Sequence, residues 1–202
     1  VTYKGRVMSG FIVEGGNANS TSSQYTYSGA GIYAAGNFNG KITDCIIRNN
    51  SALYHTAIRF YRPSGLNSWL TINRCEFYNN HSKSGVIGFK GGGTHGTYLH
   101  VYNSLFHHNS VSEADAALIA LALTNTSSTT QGALHFEFIH NTLSDNSFSS
   151  TAHPITYTKR GGKGVSFHNA LIYNNIFADS VLPFKERTFP ENVANSSFQF
   201  IY

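Results

Sequence analysis

Polar and apolar residues alternate in short runs along most of the chain, and the runs repeat. In Lys41-Ile42-Thr43-Asp44-Cys45-Ile46-Ile47-Arg48-Asn49-Asn50, apolar residues stand at fixed places ahead of an Asn. With Asn50 as reference, the pattern returns at Asn80, Asn109, Asn146 and Asn175, at roughly thirty-residue intervals. Three residues earlier stand Ile47, Phe77, Phe106, Leu143 and Ile172; eight earlier stand Ile42, Ile72, Val101, Phe138 and Phe167. Ten earlier stand Gly40, Leu70, Leu99, Phe136 and Val165. All three columns are expected to face inward.

A two-residue alternation is strand periodicity, and nothing in the unit has helical spacing. Asn enters the left-handed backbone region at little cost, so an Asn at a fixed place suits a sharp corner between strands. Stacked in successive coils, such amides bond up the column. The pattern predicts an all-β chain folded as a right-handed parallel β-helix of about six coils, a segment of a longer helix being one reading. One domain covers residues 1–202: an incomplete first coil over 1–17, repeated coils over 18–180 and an irregular C-terminal segment over 181–202.

In the first coil Val7 and Ile12 are expected to face inward, with Gly15 at the corner Asn takes later. The coil begins in mid-strand without a cap, which points to upstream coils or to end-to-end self-association. Towards the C-terminus Pro183, Pro190 and the run Lys185-Glu186-Arg187 break the pattern, and Ser197 to Tyr202 reads as the first strand of a further coil.

A second strand, Gly29 to Gly36, recurs at Ala57-Ile58-Arg59-Phe60, Val86-Ile87-Gly88-Phe89, Leu118-Ile119-Ala120-Leu121 and Ile155-Thr156-Tyr157. If Ile58 and Phe60 point inward, Arg59 and Tyr61 point out, as do Lys90 and Thr158 in later coils. The loops that follow, Tyr61 to Trp69, Lys90 to Gly96, Thr124 to Gly132 and Lys159 to Gly164, project on one side as a wall beside this face.

The chain has 202 residues, 12% of them charged, with 19 Gly and a formal charge of +4, which gives a mild preference for anionic partners. It contains no Lys/Arg block, zinc spacing or nucleic-acid motif, so nucleic acid is not an expected partner. No apolar run approaches the length of a membrane span. Cys45 and Cys75 occupy the same position in adjacent coils, poorly aimed for a bond, and are expected to be free thiols. The ten histidines are scattered. His107 and His108, adjacent in a strand, are expected to point apart, and no metal site is expected.

Three segments carry a resemblance: Gly10-Phe11-Ile12-Val13-Glu14-Gly15-Gly16-Asn17-Ala18, Gly29-Ala30-Gly31-Ile32-Tyr33 and Cys75-Glu76-Phe77-Tyr78-Asn79-Asn80. The chain resembles the bacterial right-handed β-helix repeat proteins of the pectin-lyase-like superfamily, in particular their secreted surface type, up to about residue 180. That resemblance implies an extracellular or cell-surface location. It does not fix an activity, because the superfamily includes lyases, hydrolases and adhesins.

Glycoside hydrolysis needs paired carboxylates, and the ten acidic residues do not cluster in the sequence. The expected function is binding of a polysaccharide or surface glycan, or building of a surface or adhesive structure. Candidate glycan contacts are Arg59, Tyr61, Arg62, Trp69, Lys90, His95, Lys159, Arg160 and Lys163, the aromatics for sugar faces and the cations for carboxylate or sulfate. One alternative is a polysaccharide lyase working by β-elimination, with Lys90 as base, Arg59 neutralising the uronate and His95 donating a proton. Resemblance to β-helix lyases would then bring calcium as cofactor; otherwise no cofactor is expected. A second alternative is a purely structural solenoid stacked end to end.

Overall fold

The computed structural model describes residues 5–19, 28–35, 39–61, 67–92, 96–125, 133–161, 169–179, 184–188 and 198–201. Every strand pairing is parallel, and among the described residues no helix occurs. The strands form four sheets of seven, six, five and six members, each ordered so that a strand pairs with its counterpart one coil away. This is a parallel β-solenoid. The sheet sizes come close to the expected number of coils.

The inward columns hold as expected through the central coils. Ile47, Phe77, Phe106 and Leu143 form one buried column, and Ile42, Ile72, Val101 and Phe138 another. Because parallel pairing keeps identical positions in register, like side chains meet: Phe77 stacks on Phe106 and Phe60 on Phe89, each with ring centroids 4.6 Å apart. Such pairs contribute roughly 0.5–1.5 kcal/mol beyond the area they bury.

Two corners in each coil use the left-handed backbone, and the residue that adopts it differs from the expected one. At the first corner it is Asp44, Arg74, Asn103, His140 and Asn174; at the second, Asn49, Asn79, His108 and Asp145. At the second corner the next residue turns inward and its side chain bonds to the coil above. Asn50 Nδ2 donates to Asn80 Oδ1 at 3.0 Å, Asn80 Nδ2 to Asn109 Oδ1 at 3.0 Å and Asn109 Nδ2 to Asn146 Oδ1 at 3.0 Å. Asn50, Asn80 and Asn109 are fully buried, so their function is to satisfy backbone and one another where water is absent.

Asn175 does not belong to this ladder. It stands at the first corner, where it accepts from the backbone N–H and Nδ2 of Asn141, and Asp179 takes the place above Asn146. In the same coil Ile172, Ala170 and Phe177 occupy the columns assigned to Phe167, Val165 and Ile172. The first coil shows a one-residue correction. Met8 pairs with Ile42 and Val13 with Ile47, so Val7 and Ile12 point outward, 66% and 55% exposed. One step along a strand exchanges its faces, and Val7-Met8 and Ile12-Val13 are apolar on both, so alternation could not choose.

In the segment expected to be irregular, Phe184–Thr188 pairs with His153–Gly161, and Phe198–Ile201 pairs with Asn169–Tyr173. The run Lys185-Glu186-Arg187 therefore continues a sheet. Cys45 and Cys75 are buried free thiols.

Candidate functional site

The six-stranded sheet containing Ile58–Tyr61, Ile87–Gly92, Ala117–Asn125 and His153–Gly161 carries a groove on its outward face. Its inward residues Ile58, Phe60, Ile87, Phe89, Ile119 and Leu121 are buried in the core, which fixes Arg59, Tyr61 and Lys90 on the outside. The depression is about 550 Å³ and crosses four neighbouring strands, from Arg59 to Thr156. Gly88, Ala120 and Ala122 sit at outward positions; Ala120 and Ala122 are half-buried and supply its floor, whereas Gly88 is buried.

Register places Arg59 beside Gly88, and Lys90 beside Tyr61. Arg59 and Lys90 are therefore diagonal neighbours on adjacent strands, with Tyr61 common to both. Arg59 Cζ lies 5.8 Å and Lys90 Nζ 5.0 Å from the centroid of the Tyr61 ring. The ring's negative face attracts both cations and draws them together despite their like charge.

One wall of the groove is built by corner segments. Tyr54 and His55 come from one coil, Ser84 from the next, and Glu113, Ala114 and Asp115 from the one after. His55 and Asp115 both adopt positive φ, near 50° and 57°. The His55 ring lies over Gly88 so closely that a Cβ there would sit 2.0 Å from its Cγ. Its Nδ1 is enclosed without a hydrogen-bond partner, as is Ser84 Oγ. Burial, with a smaller effect of the Arg59 charge, pushes the imidazole pKa down to about 3, so His55 is neutral near pH 7.

Of the residues expected to bind glycan, Arg59 and Lys90 line the groove, with the Tyr61 ring against both. Trp69 stands elsewhere: it lies in the strand Ser68–Asn73 of the seven-stranded sheet, between Asn39 and Tyr98, and not in a loop beside Tyr61. Arg62, His95 and Lys163 lie outside the described residues, as do the side chains of Lys159 and Arg160, whose backbone continues the groove's sheet. Sequence reasoning passed over His55, Gly88, Ala120, Glu113 and Asp115. The alternation that turns Arg59 outward also turns Gly88 and Ala120 outward, so the floor was legible as small residues at outward positions; the His55 ring that covers Gly88 and the rest of the wall, made of corners, had no periodic signal.

Two other faces carry polar aromatic clusters. On the seven-stranded sheet Tyr98 stacks on His135 with centroids 4.5 Å apart, and Tyr102 donates to Glu137. Burial, then that carboxylate, raises the Tyr102 pKa, while burial lowers that of His100. Stacked rings present edges outward, which suits them poorly to receive a sugar face. On the second sheet His107 Nε2 meets Glu76 at 3.0 Å, and the Nδ1 atoms of His107 and His108 lie 2.8 Å apart. The two histidines therefore converge, contrary to expectation, because His108 is past the strand end at a left-handed corner with φ near 53°. Among the described residues no group of three or more His, Cys, Asp or Glu could hold a metal ion.

No family model, curated protein or solved structure matches this chain. The class rests on the fold, a parallel β-solenoid with a charged groove across one sheet.

Proposed function

We propose that the chain is an extracellular or cell-surface β-helix that binds an acidic glycan in the groove across Arg59, Lys90, Ala120 and Ala122. The observation that carries the reading is the pair of cations, Arg59 and Lys90, held around one exposed-face aromatic beside a floor of small residues. A uronate or sulfate placed there accepts charge-assisted hydrogen bonds from both cations, each roughly twice as strong as a neutral one. Tyr61 adds an apolar surface. The likeness of the sequence to secreted β-helix repeat proteins supports the location.

Titration calorimetry with acidic and neutral oligosaccharides tests this. Arg59→Ala and Lys90→Ala are each expected to weaken acidic-glycan binding by about 1.5–3 kcal/mol. Equal binding of neutral sugars, or affinity unchanged in both variants, sinks the proposal.

Uronate β-elimination remains the second reading, because Arg59 and Lys90 lie on adjacent strands over one groove. Lys90 would take the proton beside the uronate carboxylate, the C–O bond to the leaving sugar would break as the C=C bond forms, and the released oxygen would gain a proton. Ultraviolet-absorbing product from the native chain, lost in Lys90→Ala, would establish lyase activity in place of binding alone.

A further inference from the structure

The outward face of the seven-stranded sheet holds a carboxylate that forms no ion pair among the described residues. Glu137 lies on Ala133–Ile139, between Gly96–Tyr102 and Asn169–Tyr173. Register sets His100 and Leu171 beside it across the strands and Tyr102 and Tyr173 at its diagonals, while Ile139 follows it on its own strand. Glu14, Asp44 and Glu76 meet Arg48, Arg74 and His107. Glu137 meets a phenol instead: Oε2 accepts from Tyr102, and Oε1 bonds to nothing else among the described residues. Burial lowers the pKa of His100, so that ring adds no positive charge at pH 7.

Glu137 lines an open depression of about 440 Å³ and is the only Asp, Glu, Lys or Arg in its lining. Tyr102 and Tyr173 stand in one outward column, with Ile139 between them. In the column where no aliphatic residue intervenes, Tyr98 stacks directly on His135. Ile139 therefore holds Tyr102 and Tyr173 apart by two strand spacings, about 9.5 Å at the backbone. A cation midway would lie about 5 Å from each ring, within the reach of about 6 Å over which an aromatic face attracts it. Ile139 and Leu171 add apolar ground, and the exposed residues Asn103 and His140 add polar groups. A ligand matched to this lining is positive at one point, apolar on one side and polar around its edge.

We infer that the depression is a binding site for an amino sugar, separate from the groove on the six-stranded sheet. Glu137 Oε1 accepts from the ammonium group in a charge-assisted hydrogen bond. Tyr102 and Tyr173 flank the charge, and Ile139 and Leu171 take the apolar face of the sugar ring. The chain as a whole is formally +4, so bulk attraction does not bring a cation here.

N-acetylation removes the sugar's charge and keeps its ring, which makes the test direct. In calorimetry of the full chain at pH 7, a glucosamine oligomer is expected to bind about tenfold or more tighter than an N-acetylglucosamine oligomer of matched length. Glu137→Gln keeps an acceptor for Tyr102 and should bring the two oligomers within about twofold of each other. Tyr173→Leu should weaken the glucosamine oligomer by about two- to fivefold. Glu14→Gln, which removes a carboxylate on another sheet, should leave it unchanged, and thermal melting checks that each variant is folded. Equal binding of the two oligomers by the native chain, or binding of neither, overturns the inference. So does a preference that survives Glu137→Gln, or one that falls equally in Glu14→Gln, since the charge recognised would then not be that of Glu137. Tetramethylammonium binding as tightly as the glucosamine oligomer would overturn the amino-sugar assignment, because that ion has neither an N–H to donate nor a ring.

Discussion

Asn146 gives both its backbone N–H and its side-chain Nδ2 to the carboxylate of Asp179, at 2.9 Å to Oδ1 and 2.9 Å to Oδ2. Lower in the ladder one amide oxygen receives both donors: Asn109 Oδ1 accepts from the backbone N–H and Nδ2 of Asn80 at 3.1 and 3.0 Å. An amide in place of Asp179 can therefore do the same work, and Asp179→Asn is expected to change stability by less than about 1 kcal/mol. Asp179→Ala leaves two donors without acceptors in a half-buried site, at a cost of about 1–3 kcal/mol. Asn80→Ala is expected to cost more, about 3–5 kcal/mol, because Asn50 loses its acceptor and Ile47 O its donor in a site without water. Urea unfolding of the three variants gives the order.

The same ladder shows how far the fold was legible in the sequence. The central coils were readable because inward columns and corner residues recur together, so that Ile47, Phe77 and Phe106 align without ambiguity. The last coil was misaligned for a physical reason. Both corners use a left-handed residue followed by an inward hydrogen-bonding one, so Asn174-Asn175 at the first corner looks like Asn49-Asn50 at the second. Asp179, the true counterpart of Asn146, carries a different side chain and follows Phe177 more closely than Asn146 follows Leu143. In the candidate site the outward cations were legible from alternation. The presence of Glu113 and Asp115 in the groove's lining was not, since corner segments are brought onto the groove by the coil's three-dimensional path.

Gly88 is held to glycine by a neighbour and not by its backbone. A Cβ there would fall 2.0 Å from His55 Cγ and 2.3 Å from Cδ2, contacts no side chain tolerates without displacement of the ring. Gly88→Ala alone is expected to destabilise by about 1–3 kcal/mol, as overpacking does. In a His55→Ala background the same substitution has room, and its cost should fall to less than about 1 kcal/mol. A double-mutant cycle by chemical denaturation measures the coupling; strict additivity would contradict the packing of the two residues.

His55 also gives stability a pH dependence whose sign follows from its environment. Its pKa is lowered to about 3 in the fold by burial and the nearby Arg59 charge, against 6.5 for the free side chain. The unfolded chain therefore takes up a proton that the folded chain refuses. The contribution of neutral His55 is fully present above pH 6.5 and is lost as pH falls towards 3, with on the order of 3 kcal/mol gone by pH 4. His55→Ala removes this difference. Its unfolding free energy, measured by urea titration between pH 7 and 4, should fall less steeply than that of the native chain; parallel slopes would mean that the ring is not enclosed.

Cys45 and Cys75 sit in the corner column that Ser104 and Asn141 continue, which makes their chemistry predictable from their neighbours. Burial raises the Cys75 thiol pKa to about 11, so almost no thiolate exists at pH 8. Native protein is expected to react with a thiol-specific chromogenic reagent far more slowly than denatured protein, which should titrate two thiols, and added reductant should leave the melting temperature unchanged. Cys75→Ser is expected to cost less than about 1.5 kcal/mol, because a hydroxyl already fits this column. Ser104 Oγ donates to Tyr102 O at 2.7 Å, where Cys75 Sγ approaches Asn73 O at 3.5 Å. Rapid labelling of the native chain, or a large loss of stability in Cys75→Ser, would show that the sulfur does something the corner geometry does not require.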